Sequence, residues 1–416
     1  MKIYHFSANN NKGGAARAAS RIHSSLLKLG IDSMMFVDEL DMSSERIFGS
    51  NRILDIFLSK ARAKAANILL KSLNTKNSGQ HSLSIFPSRW LKFINESDAD
   101  IVHLHWVNRE MLSISDIGKI KKPIVWTLHD MWSFSGAEHL CEDNRWEEGY
   151  LKNNRPSHEK GFDLNRWVFK RKLKHWKEPI NIVTPSTWLS ECARSSYLMN
   201  TWPVSTIPNC LDTELWKPSD KQYARNLFGF PKDKKLILFG SYGSNATLNK
   251  GFDLLLKSLQ ALNNPEDNYE LVVFGDTSKD QFSKLKIPVH FIGHIRNDER
   301  LVSLYNAADL MVIPSRQEAF GQVASEAQAC GTPVVAFFTS GLKDIIEHGQ
   351  TGYLAQPFNI DDLAAGIKWA ATSKDIDDIS KKAKERAHAM FSYGHVAMLY
   401  KSLYKKALKQ KVVDPN

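Results

Sequence analysis

The chain has 416 residues and carries 55 Lys and Arg against 45 Asp and Glu, a formal net charge of +10. At roughly 150 residues per domain this length predicts two or three domains, each able to bury a core. Charged residues at 24% and hydrophobic ones at 43% exclude a disordered chain, and the lack of any window of about 20 apolar residues excludes a membrane-spanning helix.

Met1-Lys2-Ile3-Tyr4-His5-Phe6 reads as an opening strand and lacks the apolar core of a signal peptide. The loop after it, Ser7 to Arg17, contains Gly13-Gly14-Ala15-Ala16. Two glycines between a strand and a helix allow close backbone approach, and the helix start offers N–H groups to an anion, so Gly13 and Gly14 are candidate phosphate-facing residues. A glycine pair also makes a plain tight turn. Residues 51–78, with Ile53, Leu54, Ile56 and Phe57 before Lys60, Arg62 and Lys64, form a separate amphipathic insertion.

Ile101-Val102-His103-Leu104, Ile124-Val125-Trp126-Thr127-Leu128 and Ile182-Val183-Thr184 continue a series of short strands separated by helical stretches. Positive charge concentrates in this half: 29 Lys and Arg against 21 Asp and Glu before residue 209. Nine basic and two acidic residues lie between Lys152 and Lys177, interleaved with Phe162, Trp167, Phe169 and Trp176. Such a stretch suits either an anionic membrane surface or a solvated helix whose aromatics face the core. Nucleic acid ranks last, because no binding motif accompanies the charge. Four cysteines far apart, without a CxxC pair, fit a reducing cytosol and no metal knuckle.

Ile207-Pro208-Asn209-Cys210-Leu211-Asp212 is the predicted boundary, giving domains 1–208 and 209–392. The second half repeats the scheme with strands at Leu236–Phe239, Leu271–Phe274, His290–Ile292, Leu310–Ile313 and Val334–Phe337. The fold class is therefore α/β with two Rossmann-like units in series, and ligands belong at the carboxyl ends of the strands. After Phe239 comes Gly240-Ser241-Tyr242-Gly243, then Asn249-Lys250-Gly251. This is no Walker A loop, but Lys250 ahead of a helix suits a diphosphate. After Ile313 comes Pro314-Ser315-Arg316-Gln317-Glu318-Ala319-Phe320-Gly321-Gln322-Val323-Ala324-Ser325-Glu326. Read as one helix, Glu318 and Glu326 stand about 12 Å apart along its axis. That is too far for a glycosidase pair and suits two ends of an extended ligand, while Phe320 and Gly321 offer N–H groups at the helix start. The plain alternative is one capping and one exposed glutamate. The basic stretch from about Tyr393 to Lys411 is predicted to be helical and to pack back on the first domain.

Glu-x7-Glu after Pro-Ser, followed by Ala329-Cys330-Gly331-Thr332-Pro333-Val334-Val335, resembles glycosyltransferase family 4, retaining enzymes of the GT-B fold with two domains facing each other across a cleft. Gly13-Gly14, Thr127-Leu128-His129-Asp130, Thr184-Pro185-Ser186, Pro208-Asn209, Lys250-Gly251 and Gly349-Gln350-Thr351-Gly352 extend the likeness in order along the chain. The resemblance implies that Glu318 holds donor-sugar hydroxyls, Glu326 the ribose and Lys250 the diphosphate, with backbone up to Ile295 around the base and Asn209 among the binding residues. Thr127 to Trp132 resembles the branch that builds colanic acid, capsule and O-antigen, which implies His129 facing the transferred sugar. Asp130 would then orient His129 or the acceptor. The arginine common beside the lysine is missing from Gly240 to Asn245, so Arg316 is a candidate substitute.

The activity so implied is transfer of a sugar from a nucleoside diphosphate donor to a glycan on a polyprenyl diphosphate. It would use no cofactor and no obligatory metal, at the inner face of a cytoplasmic membrane. A nucleotide-sugar 2-epimerase and a non-catalytic nucleotide-sugar binder are the competing readings.

Overall fold

The computed structural model describes residues 1–50, 52–71, 75, 77, 79–241, 248–262, 268–275 and 279–413. The loop Tyr242–Asn245, where the arginine is missing, lies outside the described residues. The chain divides into two compact units, Met1–Cys210 with Tyr393–Asn416, and Leu211–Ser392.

In the first unit the order is β1 (Lys2–Asn9), α1 (Gly14–Lys28), β2 (Asp32–Glu39), β3 (Ile47–Phe48), α2 (Ile53–Leu70), α3 (Trp90–Glu96), β4 (Ile101–Leu104), α4 (Ile114–Ile117) and β5 (Ile124–Thr127). Then come α5 (Arg145–Glu148), α6 (Leu164–His175), β6 (Asn181–Thr184), α7 (Thr187–Ser195) and β7 (Val204–Thr206). The strands form one parallel sheet ordered β3-β2-β1-β4-β5-β6-β7. Its strand order reverses between β1 and β4, where open sheets leave a ligand crevice at their carboxyl ends.

The second unit runs α8 (Lys221–Phe228), β8 (Lys235–Ser241), α9 (Phe252–Ala261), β9 (Tyr269–Gly275), β10 (Val289–Gly293), α10 (Asp298–Ala307), β11 (Leu310–Ile313) and α11 (Gln322–Ala329). It continues with β12 (Val334–Phe337), α12 (Leu342–Ile345), β13 (Gly352–Ala355), α13 (Ile360–Thr372) and α14 (Ile376–Phe391). This parallel sheet is ordered β10-β9-β8-β11-β12-β13, with the reversal between β8 and β11. Alternation on each strand divides its side chains between two cores. Leu236, Leu238, Met311 and Ile313 enter one, and Ile237, Phe239, Leu310 and Val312 the other. Burial of each contributes roughly 1.5–3 kcal/mol, which is why these strands read as continuous apolar runs.

After α14 the chain returns to the first unit as α15 (Tyr393–Val413). Val396, Tyr400, Leu403 and Tyr404 share a core with Ile3, Ile22, Ile101, Val125 and Val183. The division between units falls after Cys210, which is buried with Ile207 and Tyr400, whereas Leu211 packs with Trp216. Asn209 and Cys210 thus belong to the first unit, two residues beyond the boundary expected from the sequence.

Two surface expectations change. Within Lys152–Lys177 the helix is α6; of the four aromatics Phe169 and Trp176 are buried and serve the core, Trp167 is half-buried and Phe162 is exposed. Lys172 is buried too. Its ammonium donates to the carbonyl oxygens of Trp132, Ser135 (3.0 Å) and Gly136 (2.8 Å) and lies 4.0 Å from the Trp132 ring centre. Burial lowers its pKa to about 7. Lys172 therefore anchors an internal loop and takes no part in a basic surface patch. The insertion is the more exposed apolar element: Ala66 alone of the α2 side chains is buried, and Ile53 and Phe57 are 86% and 67% exposed.

Candidate active site

The carboxyl ends of β4 and β5 gather histidines because strand side chains alternate with period two. His5 on β1 is the register partner of His103 on β4, and His105 follows two residues on. Thr127 and His129 stand in the same phase on and after β5. His5 Nδ1 lies 2.9 Å from His105 Nε2, and His105 Nδ1 lies 3.3 Å from His129 Nε2. His103 is held separately, by Tyr404 OH on Nδ1 and Thr127 Oγ1 on Nε2, both at 2.7 Å. Burial, then the neighbouring imidazoles, push His5 and His105 well below the ordinary histidine range, and burial does the same to His103. His129 is lowered to about 4, burial outweighing the opposing pull of Asp130. These rings are neutral at neutral pH.

His5, His103 and His105 also have metal-ligand spacing. Both nitrogens of His103 are already bonded, and the His103 and His105 ring centres lie 4.1 Å apart with tilted planes. His5 and His105 are bonded to each other and His103 to Tyr404 and Thr127, so the three are not an open ligand set.

Asp130 is not hydrogen-bonded to His129. Its Oδ2 accepts from Trp106 Nε1 at 2.9 Å and pairs with His139 Nδ1 at 2.6 Å, and its Oδ1 accepts from the Trp132 N–H at 2.9 Å. Burial pushes this carboxyl up, but His139 and these donors outweigh it and lower its pKa. Asp130 shapes the loop behind His129, which narrows the two roles expected for it. Gly13 caps α1 with φ +89°, and a Cβ there would meet open space, so the α1 start is accessible to a ligand. Asn209 is buried and its Oδ1 has no hydrogen-bond partner among the described residues.

In the second unit Lys250 Nζ lies 2.5 Å from Glu318 Oε1. The pair is partly exposed, 29% for the lysine and 13% for the glutamate. Glu318 is not helical. It sits in the loop between β11 and α11, where Ser315 Oγ donates to its carboxylate (2.8 Å). Its N–H donates to Ser340 Oγ (2.8 Å), and its carbonyl accepts from the Gly341 N–H (2.9 Å). The 12 Å helical spacing from Glu326 therefore does not apply. The left-handed turn at Gly321 (φ +102°) breaks the helix, and a Cβ there would lie 2.7 Å from Leu342 Cδ2.

Lys250 reaches the pair because Gly251 (φ +68°) presses its backbone onto the end of β11. A Cβ at Gly251 would lie 1.7 Å from the Pro314 carbonyl oxygen. Arg316 is committed to Asp253 by two bonds of 2.8 Å, and the Asp253 carboxylate, by accepting them, raises the guanidinium pKa. It anchors the start of α9. Glu326 is buried on α11, with Tyr305 OH donating to it at 3.0 Å. The Phe320 side chain is core, 5.5 Å from the Phe391 ring centre, and its backbone precedes the α11 cap. Ile295 is buried in that same core.

His5, His105, Ser315, Ser340 and Asp253 had not been singled out from the sequence. The one signal was His103-x-His105, two polar residues in phase on an apolar strand.

Two family descriptions match the chain in series: "Glycosyltransferase Family 4" over residues 12–215 and "Glycosyl transferases group 1" over residues 220–389. A D-inositol 3-phosphate glycosyltransferase of Mycolicibacterium smegmatis is 31% identical over 213 residues, 48% of this chain and 46% of that protein. A lipopolysaccharide 1,2-N-acetylglucosaminetransferase of Salmonella typhimurium is 28% identical over 217 residues, 49% of this chain and 56% of that protein. The chain thus spans about half the length of these relatives. Among solved structures, sucrose-phosphate synthase from Thermosynechococcus elongatus superposes with a TM-score of 0.67 at 17% identity, covering 99% of this chain and all of that one. Anabaena Alr3699/HepE in complex with UDP and glucose gives 0.65 at 18%, covering 98% of this chain and all of that one. These likenesses show the GT-B fold.

Proposed function

We propose that this chain, which carries a glycosyltransferase family 4 domain followed by a glycosyltransferase group 1 domain, is a retaining glycosyltransferase. It moves a sugar from a nucleoside diphosphate to a lipid-linked bacterial surface glycan. The observation that carries this reading is the Lys250–Glu318 pair at the carboxyl end of β11, next to the strand-order reversal. On donor binding Lys250 exchanges Glu318 for the diphosphate, and the released carboxylate accepts hydrogen bonds from sugar hydroxyls. Positioning and stabilisation of the departing diphosphate, by Lys250 and the α11 start, supply most of the rate. The departing phosphate takes the acceptor's proton, which leaves Glu318 to hold the sugar hydroxyls. The reaction uses no obligatory metal. The aspartate pairs Asp361-Asp362 and Asp377-Asp378 lie in the first turns of α13 and α14 and are not of the DxD type; Asp362 accepts from Tyr353 OH and Gln356 N–H (2.7 Å each), and Asp378 pairs with Lys382.

The complex of HepE with UDP and glucose and the lipopolysaccharide-modifying relative support a UDP-sugar and a surface-glycan acceptor as first choices. The deciding experiment is a melting-temperature panel of UDP-, GDP- and dTDP-sugars, followed by product analysis with the donor that binds. Transfer with the anomeric configuration retained is expected. Isomerised donor without acceptor would overturn transfer in favour of epimerisation, and binding without either product would leave a sugar-nucleotide binder.

The same reading places the chain on the cytoplasmic face of a membrane through α2. Ile53, Leu54 and Phe57 are exposed there, and the helix with its two caps carries five basic residues, Arg52, Lys60, Arg62, Lys64 and Lys71, and one acidic residue, Asp55, which Arg89 pairs. Ile53→Ser with Phe57→Ser is expected to abolish flotation with anionic vesicles, and unchanged flotation would remove α2 from that role.

A further inference from the structure

His5, His105 and His129 are linked end to end through their ring nitrogens, from the interior of the first unit to the carboxyl end of β5. We propose that His5 and His105 are positioning residues that fix the tautomer of His129. The proton of His129 is held on Nδ1, so its outward nitrogen is a hydrogen-bond donor to a sugar oxygen and not a base. The proposal rests on the reading above only in placing His129 against a sugar.

A neutral imidazole has one N–H and one lone pair. In a chain joined Nδ1 to Nε2, the choice made by one ring therefore dictates the next, and two arrangements are self-consistent. With every proton on Nε2, the bonds run inward and end at a His5 Nε2–H. With every proton on Nδ1, they run outward and end at a His129 Nδ1–H. His5 Nε2 decides between them, because it is buried and has no hydrogen-bond partner among the described residues. An orphaned buried N–H is among the rarest groups in folded proteins, and an unsatisfied acceptor is better tolerated. The outward arrangement follows.

His5 is packed in place by its neighbours. Its ring centre lies 4.7 Å from that of His103 and 5.7 Å from that of His23. His103 is bonded to Tyr404 of α15 and to Thr127. His23 Nδ1 lies 2.7 Å from Ser33 Oγ, and its Nε2 lies 3.0 Å from the Glu45 carbonyl oxygen. The Nδ1 of His129 makes no hydrogen bond to any described residue and is the end left for substrate. His5 Nε2 has no described partner with which to exchange a proton, so the column sets a direction and carries no proton current.

The test is the ring spectrum of His129 in the full chain with 15N-labelled histidine. The expected result is a pyrrole-type, protonated Nδ1 and a lone-pair Nε2; a protonated Nε2 overturns the proposal without any variant. His105→Leu should shift His129 toward the other tautomer and lower kcat roughly tenfold, the worth of one hydrogen bond in the transition state, with the donor KM unchanged. His105→Gln keeps an amide N–H for His129 Nε2 and should restore both the spectrum and most of kcat. An unchanged His129 spectrum in His105→Leu would also overturn the proposal. His129→Ala with full transfer would overturn the placement against a sugar, and so the use of the column, separately from the tautomer, which the spectrum decides.

Discussion

The loops after β5 and β11 both lie at the carboxyl ends of their sheets, β11 beside the strand-order reversal and β5 one strand removed from it, and their electrostatics are opposite. Behind the first stand neutral imidazoles, kept uncharged by burial. At the second, a lysine and a glutamate meet 2.5 Å apart while still partly exposed. Depth decides the difference: water reaches Lys250 and Glu318 and lowers the cost of their charges, whereas a charge at His5 would be unsolvated. The first loop is thereby suited to directing hydrogen bonds and the second to meeting a charged group.

Removing the charge at the second loop should have the largest effect. Glu318→Ala is expected to lower transfer about 10³-fold with an unchanged melting profile, since Ser340 and Gly341 hold the residue through its backbone. Full activity would take Glu318 out of the site. The glycines sharpen the contrast next. Gly251→Ala drives a Cβ to 1.7 Å from the Pro314 oxygen at a left-handed φ, and should cost about 3 kcal/mol in urea unfolding. Gly13→Ala meets open space and bears only the φ strain, about 1–2 kcal/mol. Equal losses would mean that the tight approach at Gly251 relaxes.

The smallest expected effect is acid sensitivity in the neutral column. The folded pKa values of His5, His103 and His105 lie below the ordinary value of 6.5, so below that pH the unfolded chain binds more protons. Their contribution to stability is complete above pH 6.5 and is lost as pH falls, by about 1 kcal/mol per histidine between pH 6.5 and 5.5. His105→Leu should show a shallower loss over that interval in urea titrations. An identical slope would mean that His105 is not held neutral by the fold.

Much of the second-unit candidate site was legible, because Glu318, Gly321 and Glu326 lie within one short segment and Lys250-Gly251 is a compact signal. The conformation of that segment was not. Continuous helical spacing across Glu318 ignored Gly321, whose left-handed φ and contact with Leu342 start α11 only at Gln322. Lys172, within the basic stretch 152–177, departs from its expected place for a related reason. Composition counts Lys172 as surface charge, but three carbonyl oxygens and the Trp132 ring solvate it inside.

By itself the sequence determined the two series of parallel strands, the loops that end them and the phase of each histidine along its strand, since period-two alternation is a local property of the backbone. Tertiary structure alone decided that His5 meets His105 across 100 residues and that Tyr404 bonds His103 across 301. Strand order and the return of α15 are set by which apolar faces bury one another, and that choice belongs to the assembled sheet rather than to any one segment.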